Sequence, residues 1–189
     1  MAQMTPFELF GLKPAFKVDL EALHAAHERA ILQVHPDRFA DRPAAERRVA
    51  EQWASRINEA YAVLKDPVKR AVWLCEAAGR SVGAETNTRM PMDFLMQQMA
   101  WREAMDDACG DDEKNAVRDE ARGAADKVLE ALSSAIDETH DWDKAVDLTR
   151  RLMFIERFLE QNADYPFPFI RLTKAHASEE IAGRAPSPT

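Results

Sequence analysis

The chain has 189 residues, of which 46% are hydrophobic and 31% charged, and its formal net charge is -8. This length suffices for one ordinary domain or two small ones, and the composition is typical of a globular protein and excludes a largely disordered one. The net negative charge repels nucleic-acid phosphates and therefore argues against a general role in binding DNA or RNA.

The first half of the sequence alternates amphipathic helical patterns with proline and glycine breaks. Thr5 and Pro6 suit the start of a short helix that Gly11 would end. Pro36 ends a second helix, because proline disfavours the helical conformation of the residue before it. The predicted helices span about residues 5–10, 19–34, 44–65 and 68–78, with a loop at 35–43. The apolar stripes of the second and third helices include Leu20, Leu23, Ile31 and Val34, and Val49, Trp53, Ile57 and Leu64.

The second half begins after residues 79–90, whose Gly, Ser, Thr and Asn content predicts a linker. Three long helical patterns follow, over about residues 91–109, 111–136 and 142–162. Short breaks between them favour an antiparallel bundle. The polar end of the chain, from about Thr173, is predicted to be a disordered tail. The sequence thus predicts an all-α protein with a helical hairpin at residues 1–78, a linker at 79–90, a three-helix domain at 91–172 and a tail at 173–189.

The predicted loop begins His35-Pro36-Asp37, between two amphipathic helices, and the second of these helices ends in the sequence INEAYAVL (57–64). The tripeptide alone is weak evidence, but motif, flanking helices and helix ending together resemble a J-domain over about residues 5–75. In that family the loop at the tip of a helical hairpin contacts a DnaK-like chaperone and promotes its ATP hydrolysis.

The resemblance implies a chaperone-binding role for the loop and for two neighbouring arginines. Asp37 can accept charge-assisted hydrogen bonds from a partner arginine, and Pro36 restricts the loop and lowers its ordering cost on binding. His35 would cap or position the loop. The helix before the motif carries Arg29 where J-domains usually carry several basic residues, which predicts weak electrostatic steering and a specialised chaperone partner. The implied chaperone-binding residues are His35, Pro36, Asp37, Arg29 and Arg38.

A general DnaJ would continue with a Gly/Phe-rich segment and C-x-x-C repeats, which this sequence lacks. Its order of J-domain and three-helix domain resembles the HscB-type co-chaperones over about residues 5–160. The segments TPFELFGL, PVKRAVWLCEAAG and FLMQQMAWREAMDD carry that resemblance. It implies two protein partners, an HscA-like ATPase chaperone and an IscU-like scaffold of iron–sulfur cluster assembly, and a co-chaperone that is not itself an enzyme.

The helix predicted at 91–109 has two apolar faces. Phe94, Trp101 and Met105 form one stripe, whereas Leu95, Met96 and Met99 lie about 100° to 200° away from Phe94. The second face either packs against the rest of the chain or is an exposed interaction site, for which methionine is well suited. Phe154 lies outside the core stripe of the last helix in the same way. The resemblance implies a scaffold-binding surface at Leu95, Met96, Met99, Glu103, Asp107 and Phe154. Trp73 and Leu74 are candidates for contact between the domains.

The remaining signals predict no cofactor and no metal site. Cys75 and Cys109 form no C-x-x-C pair, so two buried free thiols in a reducing compartment are expected. His24 and His27 lie one turn apart, but no cysteine or carboxylate completes a metal site with them. The sequence contains no secretory or organelle-targeting pattern and no apolar run of the roughly 20 residues that span a bilayer, which predicts a cytoplasmic location without a membrane partner.

Three other functions were compared with the leading hypothesis. A J-domain adaptor for a different client protein differs only in the identity of that client. A helical DNA-binding protein is disfavoured by the negative charge and by the lack of aromatic residues interleaved with basic ones. A helical hydrolase would need a nucleophile and base pair, and the sequence offers no such set.

Overall fold

The computed structural model describes residues 4–83 and 91–163, and over these residues it is helical with no strand. The all-α fold class predicted from the sequence is therefore confirmed. The seven α-helices are α1 (Pro6–Leu9), α2 (Leu20–Val34), α3 (Ala44–Lys65), α4 (Pro67–Ala77), α5 (Met92–Asp107), α6 (Asp111–Ser133) and α7 (Trp142–Gln161).

The helix starts follow local side-chain chemistry. In α1 the Thr5 hydroxyl accepts the Glu8 N–H while the Glu8 carboxylate accepts the Thr5 N–H, a reciprocal capping box that lowers the Glu8 pKa. Asp19 caps α2 and Asp66 caps α4, each accepting two backbone N–H groups. These caps satisfy donors that a helix leaves unpaired at its N-terminus.

Helices α2 and α3 form an antiparallel hairpin. His27 stacks on Tyr61 at 4.1 Å between ring centroids and bonds Asn58 at 2.9 Å, which fixes the register of the two helices. Leu23 and Leu64 are fully buried and belong to the same core as Phe7 of α1.

Two residues assigned to the apolar stripes of this hairpin are exposed in the structure. Leu20 is the first residue of α2, and because helical side chains point towards the N-terminus it projects beyond the helix. Val49 lines a shallow apolar groove of about 310 Å³ together with Val34, Phe39 and Trp53. The predicted burial of Leu20 and Val49 was therefore wrong.

Helices α5, α6 and α7 form the second helical unit. Its core contains fully or almost fully buried side chains from all three helices, namely Phe94, Trp101, Ala121, Leu132, Leu152 and Ile155. The α-helical part of α6 ends at Ser133, three residues before the predicted end, and Ser134–Glu138 form a π-helical turn. Helix α5 ends at Asp107, two residues early, since Ala108 is extended.

The two helical units share one buried core along α4 and α7. Of the two candidates for contact between the units, Leu74 of α4 is buried in this core, whereas Trp73 packs on Phe7 at 5.3 Å between ring centroids. The π-helical turn adds a polar connection, because the two carboxylate oxygens of Asp137 accept the backbone N–H groups of Phe16 (2.7 Å) and Lys17 (2.9 Å). The loop before α2 is thereby fastened to the end of α6.

Charged groups are also enclosed at this junction. Burial raises the pKa of the Glu156 carboxyl to about 7, and the nearby carboxylates of Asp66 and Glu160 raise it further against the opposing effect of Lys69. Arg70 of α4 is also buried, near Asp66 and Asp137, and it donates to the Leu64 carbonyl; burial lowers its pKa to about 10.

Part of the predicted linker contacts the bundle. Val82 is buried, and its carbonyl accepts a hydrogen bond from Arg150 of α7. Residues 84–90 of the linker lie outside the described residues, as do residues 164–172 of the predicted three-helix domain and the predicted tail from Thr173.

Candidate chaperone-contacting loop and partner-binding face

The His-Pro-Asp loop is held in place by backbone and imidazole hydrogen bonds. His35 ends α2, and Pro36–Phe39 form one 3₁₀ turn. The His35 Nδ1 atom accepts the Asp37 N–H at 3.3 Å, and the His35 carbonyl accepts the Arg38 N–H at 3.0 Å. His35 thus caps the turn, which is one of the two roles predicted for it.

The carboxylate of Asp37 takes no part in holding the turn. Its side chain is 91% exposed, and one oxygen lies 3.6 Å from His35 Nδ1. Because Nδ1 accepts a backbone N–H, it does not donate to the carboxylate, which remains an exposed acceptor. An arginine of another protein could therefore approach it directly.

The two arginines predicted at this surface have different surroundings. Arg38 directs its guanidinium back to the Leu32 carbonyl at 3.2 Å, close to the end of α2, and so helps to close the loop. Arg29 is exposed on α2, six residues before His35, which is about 9 Å along the helix axis. Arg29 is therefore near the loop without being part of it.

The second apolar face of α5 is exposed. Leu95, Met96 and Met99 have 38%, 65% and 70% of their surface accessible, and Met92 at the start of the helix has 72%. The sequence left open whether this face packs against the rest of the chain or is exposed. Within residues 4–83 and 91–163 it is exposed. Glu103 and Asp107, also exposed, continue this side of the helix towards its C-terminus.

Phe154 borders the same face from α7, and it is half-buried. Its ring meets Phe94 edge-on at 5.8 Å between centroids, and the Arg102 guanidinium covers it at 5.6 Å. Because Arg102 is seven residues after Leu95 and lies on nearly the same side of α5, Phe154 lies at the edge of the α5 face. Phe154 therefore has a packing role in addition to whatever it presents to a partner.

Arg102 and Gln98 were not predicted as site residues from the sequence. Arg102 was indistinguishable from other surface charges, since its place over Phe154 depends on how α5 and α7 pack. Gln98 is buried in the bundle, and its amide nitrogen has no hydrogen-bond partner among the described residues. The pattern did not reveal this because glutamine at such a position ordinarily lies at the surface. Among the described residues no cluster of His, Cys, Asp or Glu is arranged to hold a metal ion.

Two protein-family descriptions match the chain. The DnaJ domain matches residues 5–73, and the HSCB C-terminal oligomerisation domain matches residues 90–162. The chain is also 45% identical over 164 residues to the Co-chaperone protein HscB homolog of Bordetella avium, which covers 86% of this chain and 98% of that protein. The chain belongs to the HscB family of co-chaperones. It is therefore a J-domain co-chaperone of the iron–sulfur cluster assembly type, from a family of co-chaperones and not of enzymes.

Other members of the HscB family agree with this assignment. The Burkholderia thailandensis homolog is 47% identical over 154 residues, covering 80% of this chain and 87% of that protein. The structure of HscB from Vibrio cholerae matches with a TM-score of 0.73 at 32% identity, covering 84% of this chain and 95% of that one. Human HscB has the same fold, with a TM-score of 0.80 at 23% identity over 84% of this chain and 80% of that one. In the described part of the chain, no helix is long and apolar enough to cross a membrane.

Proposed function

We propose that this HscB-family protein stimulates ATP hydrolysis by an HscA-like chaperone and delivers an IscU-like scaffold protein to it in the cytoplasm. Residues 1–78 would form the chaperone-contacting domain and residues 91–172 the scaffold-binding domain, joined by residues 79–90. The main observation in support is that two different exposed surfaces belong to units that share one core. One is the polar His35–Asp37 loop, and the other is the apolar α5 face.

The chaperone half of the proposal depends on an exposed acceptor in a loop with a defined shape. The turn is closed by hydrogen bonds that do not use the Asp37 carboxylate. A partner arginine could bind it without first disrupting the loop, and a preformed loop loses little entropy on binding. Arg29 and Arg38 would add positive charge beside it.

The scaffold half depends on apolar side chains that the described chain leaves in water. Leu95, Met96 and Met99 lie together on α5, and Phe154 extends the surface across to α7. A cluster of exposed Leu, Met and Phe with acidic residues at its edge is typical of a protein interface with an apolar centre and a polar rim. Glu103 and Asp107 would supply that rim.

The test is steady-state ATP hydrolysis by an HscA-like chaperone, with this protein and an IscU-like scaffold added separately and together. We expect stimulation by the protein alone and a larger, more than additive stimulation with the scaffold. Stimulation that the scaffold does not change would indicate an adaptor for a different client. A general DnaK-type chaperone in the same assay tests the predicted preference for a specialised partner. Failure to stimulate either chaperone would contradict the proposal.

A further inference from the structure

An apolar groove lies at the tip of the α2–α3 hairpin, directly beside the His-Pro-Asp loop. The apolar residues that line it are Val34, Phe39, Ala45, Val49, Ala50 and Trp53. Val34 is the last residue of α2, Phe39 is the last residue of the 3₁₀ turn, and the other four belong to the first half of α3. The turn that presents Asp37 therefore also forms one wall of the groove.

The groove leaves apolar side chains in contact with water. The Arg56 guanidinium lies 5.1 Å from the centroid of the Trp53 ring and holds this wall in place. Ala50 is buried, and its small side chain leaves the groove unfilled. Val49 has 53% of its surface accessible. Apolar surface in water costs free energy in proportion to its area, so burial of the groove by an apolar group is favourable.

The size and chemistry of the groove suit an inserted side chain. Its volume of about 310 Å³ is at the lower end of the range of small-molecule sites, which combine apolar walls with several convergent polar groups. Among the described residues that line this groove, Glu46 alone has a polar side chain. The groove is therefore suited to an apolar side chain of another protein and not to a small polar ligand.

We infer that this groove is a second contact for the chaperone, which inserts a branched aliphatic or methionine side chain there while one of its arginines pairs with Asp37. The inference deepens the proposed function and rests on it for the identity of the partner. It gives Phe39, Val49 and Trp53 a role in chaperone binding that does not depend on the charge of the loop.

The position of the groove favours the chaperone as its occupant. Phe39 follows Asp37 by two residues in one 3₁₀ turn, which is about 4 Å along the axis of that turn. Ala45 and Trp53 are about 12 Å apart along α3. A protein that buries about 800 Å² of this chain covers an area of about 16 Å radius. An interface centred on Asp37 therefore extends past the turn to the hairpin tip, where the groove lies.

The charge of the hairpin tip favours a chaperone segment that has carboxylates next to its apolar side chain. Residues 38–48 carry four arginines and two carboxylates, although the whole chain has a net charge of -8. Helix α2, in contrast, carries one arginine and two glutamates. Positive charge is thus concentrated beside the groove, where it attracts carboxylates over about 8–10 Å at physiological salt. Because α2 contributes little attraction, the groove would supply the affinity that α2 lacks.

The test is the concentration of the full chain that half-maximally stimulates ATP hydrolysis by an HscA-like chaperone, measured without scaffold. Val49→Ser removes an exposed wall of the groove, whereas Ala45→Phe fills the groove and removes no apolar group. We expect either change to raise this concentration about tenfold, as is typical of a central apolar contact. The maximal rate at saturation should stay at the wild-type value, because the turn that presents Asp37 is intact.

The matched control is Leu20→Ser, which removes an exposed aliphatic side chain from the same hairpin. Leu20 is about 21 Å from Val34 along α2, so this variant should stimulate the chaperone as the wild type does. All three variants should keep the wild-type melting temperature, because residues 20, 45 and 49 are exposed.

Salt separates the apolar contribution from the electrostatic one. Arg42→Gln with Arg47→Gln should raise the half-maximal concentration about threefold over the wild type at about 0.05 M salt. That difference should vanish at about 0.5 M salt, where charges are screened within a few ångströms. The effect of Val49→Ser should be the same at both salt concentrations.

Wild-type half-maximal concentrations in both groove variants would overturn the inference and leave the proposed function standing. Normal stimulation by Ala45→Phe alone would also overturn it, since a filled groove could not then hold a chaperone side chain. Self-association of the wild-type chain that Val49→Ser abolishes, measured by sedimentation, would assign the groove to a second copy instead. A wild-type chain that stimulates neither an HscA-like nor a DnaK-type chaperone would refute the proposed function, and with it the chaperone as occupant.

Discussion

The His-Pro-Asp loop and the α5 face differ in what makes them available to a partner. The loop is polar, and its shape is determined locally by Pro36 and by two hydrogen bonds, one accepted by the His35 imidazole and one by the His35 carbonyl. The α5 face is apolar, and it is exposed because the core uses only the opposite side of the same helix. The loop motif can therefore be recognised from the sequence together with its two flanking helices, whereas an apolar surface is recognised only after the core has been accounted for.

The largest effect on chaperone stimulation is expected from substitution of Asp37. In Asp37→Asn the shape of the loop is retained, because its hydrogen bonds use the backbone at residue 37 and not the carboxylate. Loss of a charge-assisted pair with a partner arginine costs about 3 kcal/mol, which is about a hundredfold in the affinity that drives stimulation. We expect stimulation of ATP hydrolysis to fall to near the basal rate in the chaperone assay.

The matched control for that variant is Asp41→Asn, in the same loop region. It should stimulate the chaperone normally, and both variants should keep the wild-type melting temperature and scaffold affinity. A melting temperature lowered in Asp37→Asn alone would show that the carboxylate supports the fold, contrary to the geometry.

The complementary change is Leu95→Ala with Met99→Ala on the α5 face. We expect scaffold affinity, measured by calorimetry, to fall by about 2–3 kcal/mol, as is typical of apolar residues at the centre of an interface. Stability and stimulation without scaffold should not change, because both side chains are exposed. Phe154→Ala should weaken scaffold binding and also lower the free energy of unfolding by about 1–2 kcal/mol through its edge contact with Phe94. Unchanged scaffold affinity in the double variant would refute the assignment of this face.

A third change tests the connection between the units that carry the two surfaces. Asp137→Asn replaces a carboxylate that accepts two backbone N–H groups by an amide that can accept only with its oxygen. We expect the free energy of unfolding, measured by urea denaturation, to fall by about 2 kcal/mol. Glu138→Gln is the matched control, since Glu138 is exposed at the same turn. Equal stability of the two variants would mean that the Asp137 bonds contribute little.

The smallest expected effect concerns Glu156 at the junction of α4 and α7. Its pKa is raised to about 7, first by burial and then by Asp66 and Glu160, from an ordinary value of 4.5. The folded chain therefore binds a proton more tightly than the unfolded chain, so stability falls as pH rises from about 4.5 to about 7. Glu156→Gln should flatten this part of the pH profile and add about 1 kcal/mol above pH 7, a figure lowered for solvent screening. An unaltered pH profile in melting experiments would contradict this.

Much of the fold could be predicted from the sequence because its signals are local. Thr5 and Pro6 at the start of the first helix, the proline at 36 and the spacing of apolar residues predicted the helix bounds to within about three residues. The same is true of the loop motif and of the second face on α5, since both follow from neighbouring positions in one segment. These features do not depend on how distant parts of the chain meet.

The remaining features depend on tertiary contacts between distant residues. Asp137 and Phe16 are far apart in the sequence, and only the π-helical turn after α6 brings them together. The raised pKa of Glu156 and the place of Arg102 over Phe154 likewise require the packing of α7. The expectation of two buried thiols was right for Cys75 and wrong for Cys109, which lies exposed in the turn between α5 and α6.

Because Cys75 is buried and Cys109 is exposed, the opening of the junction between α4 and α7 can be followed by the rate of thiol modification. The Cys75 thiol contacts the Thr149 hydroxyl of α7, and burial raises its pKa, so it cannot react with an alkylating reagent while the junction is closed. Its rate of modification therefore measures how often α4 separates from α7, and Cys109 in the same sample calibrates the reagent. The free energy of that opening can be measured in the wild-type chain, with and without either partner bound.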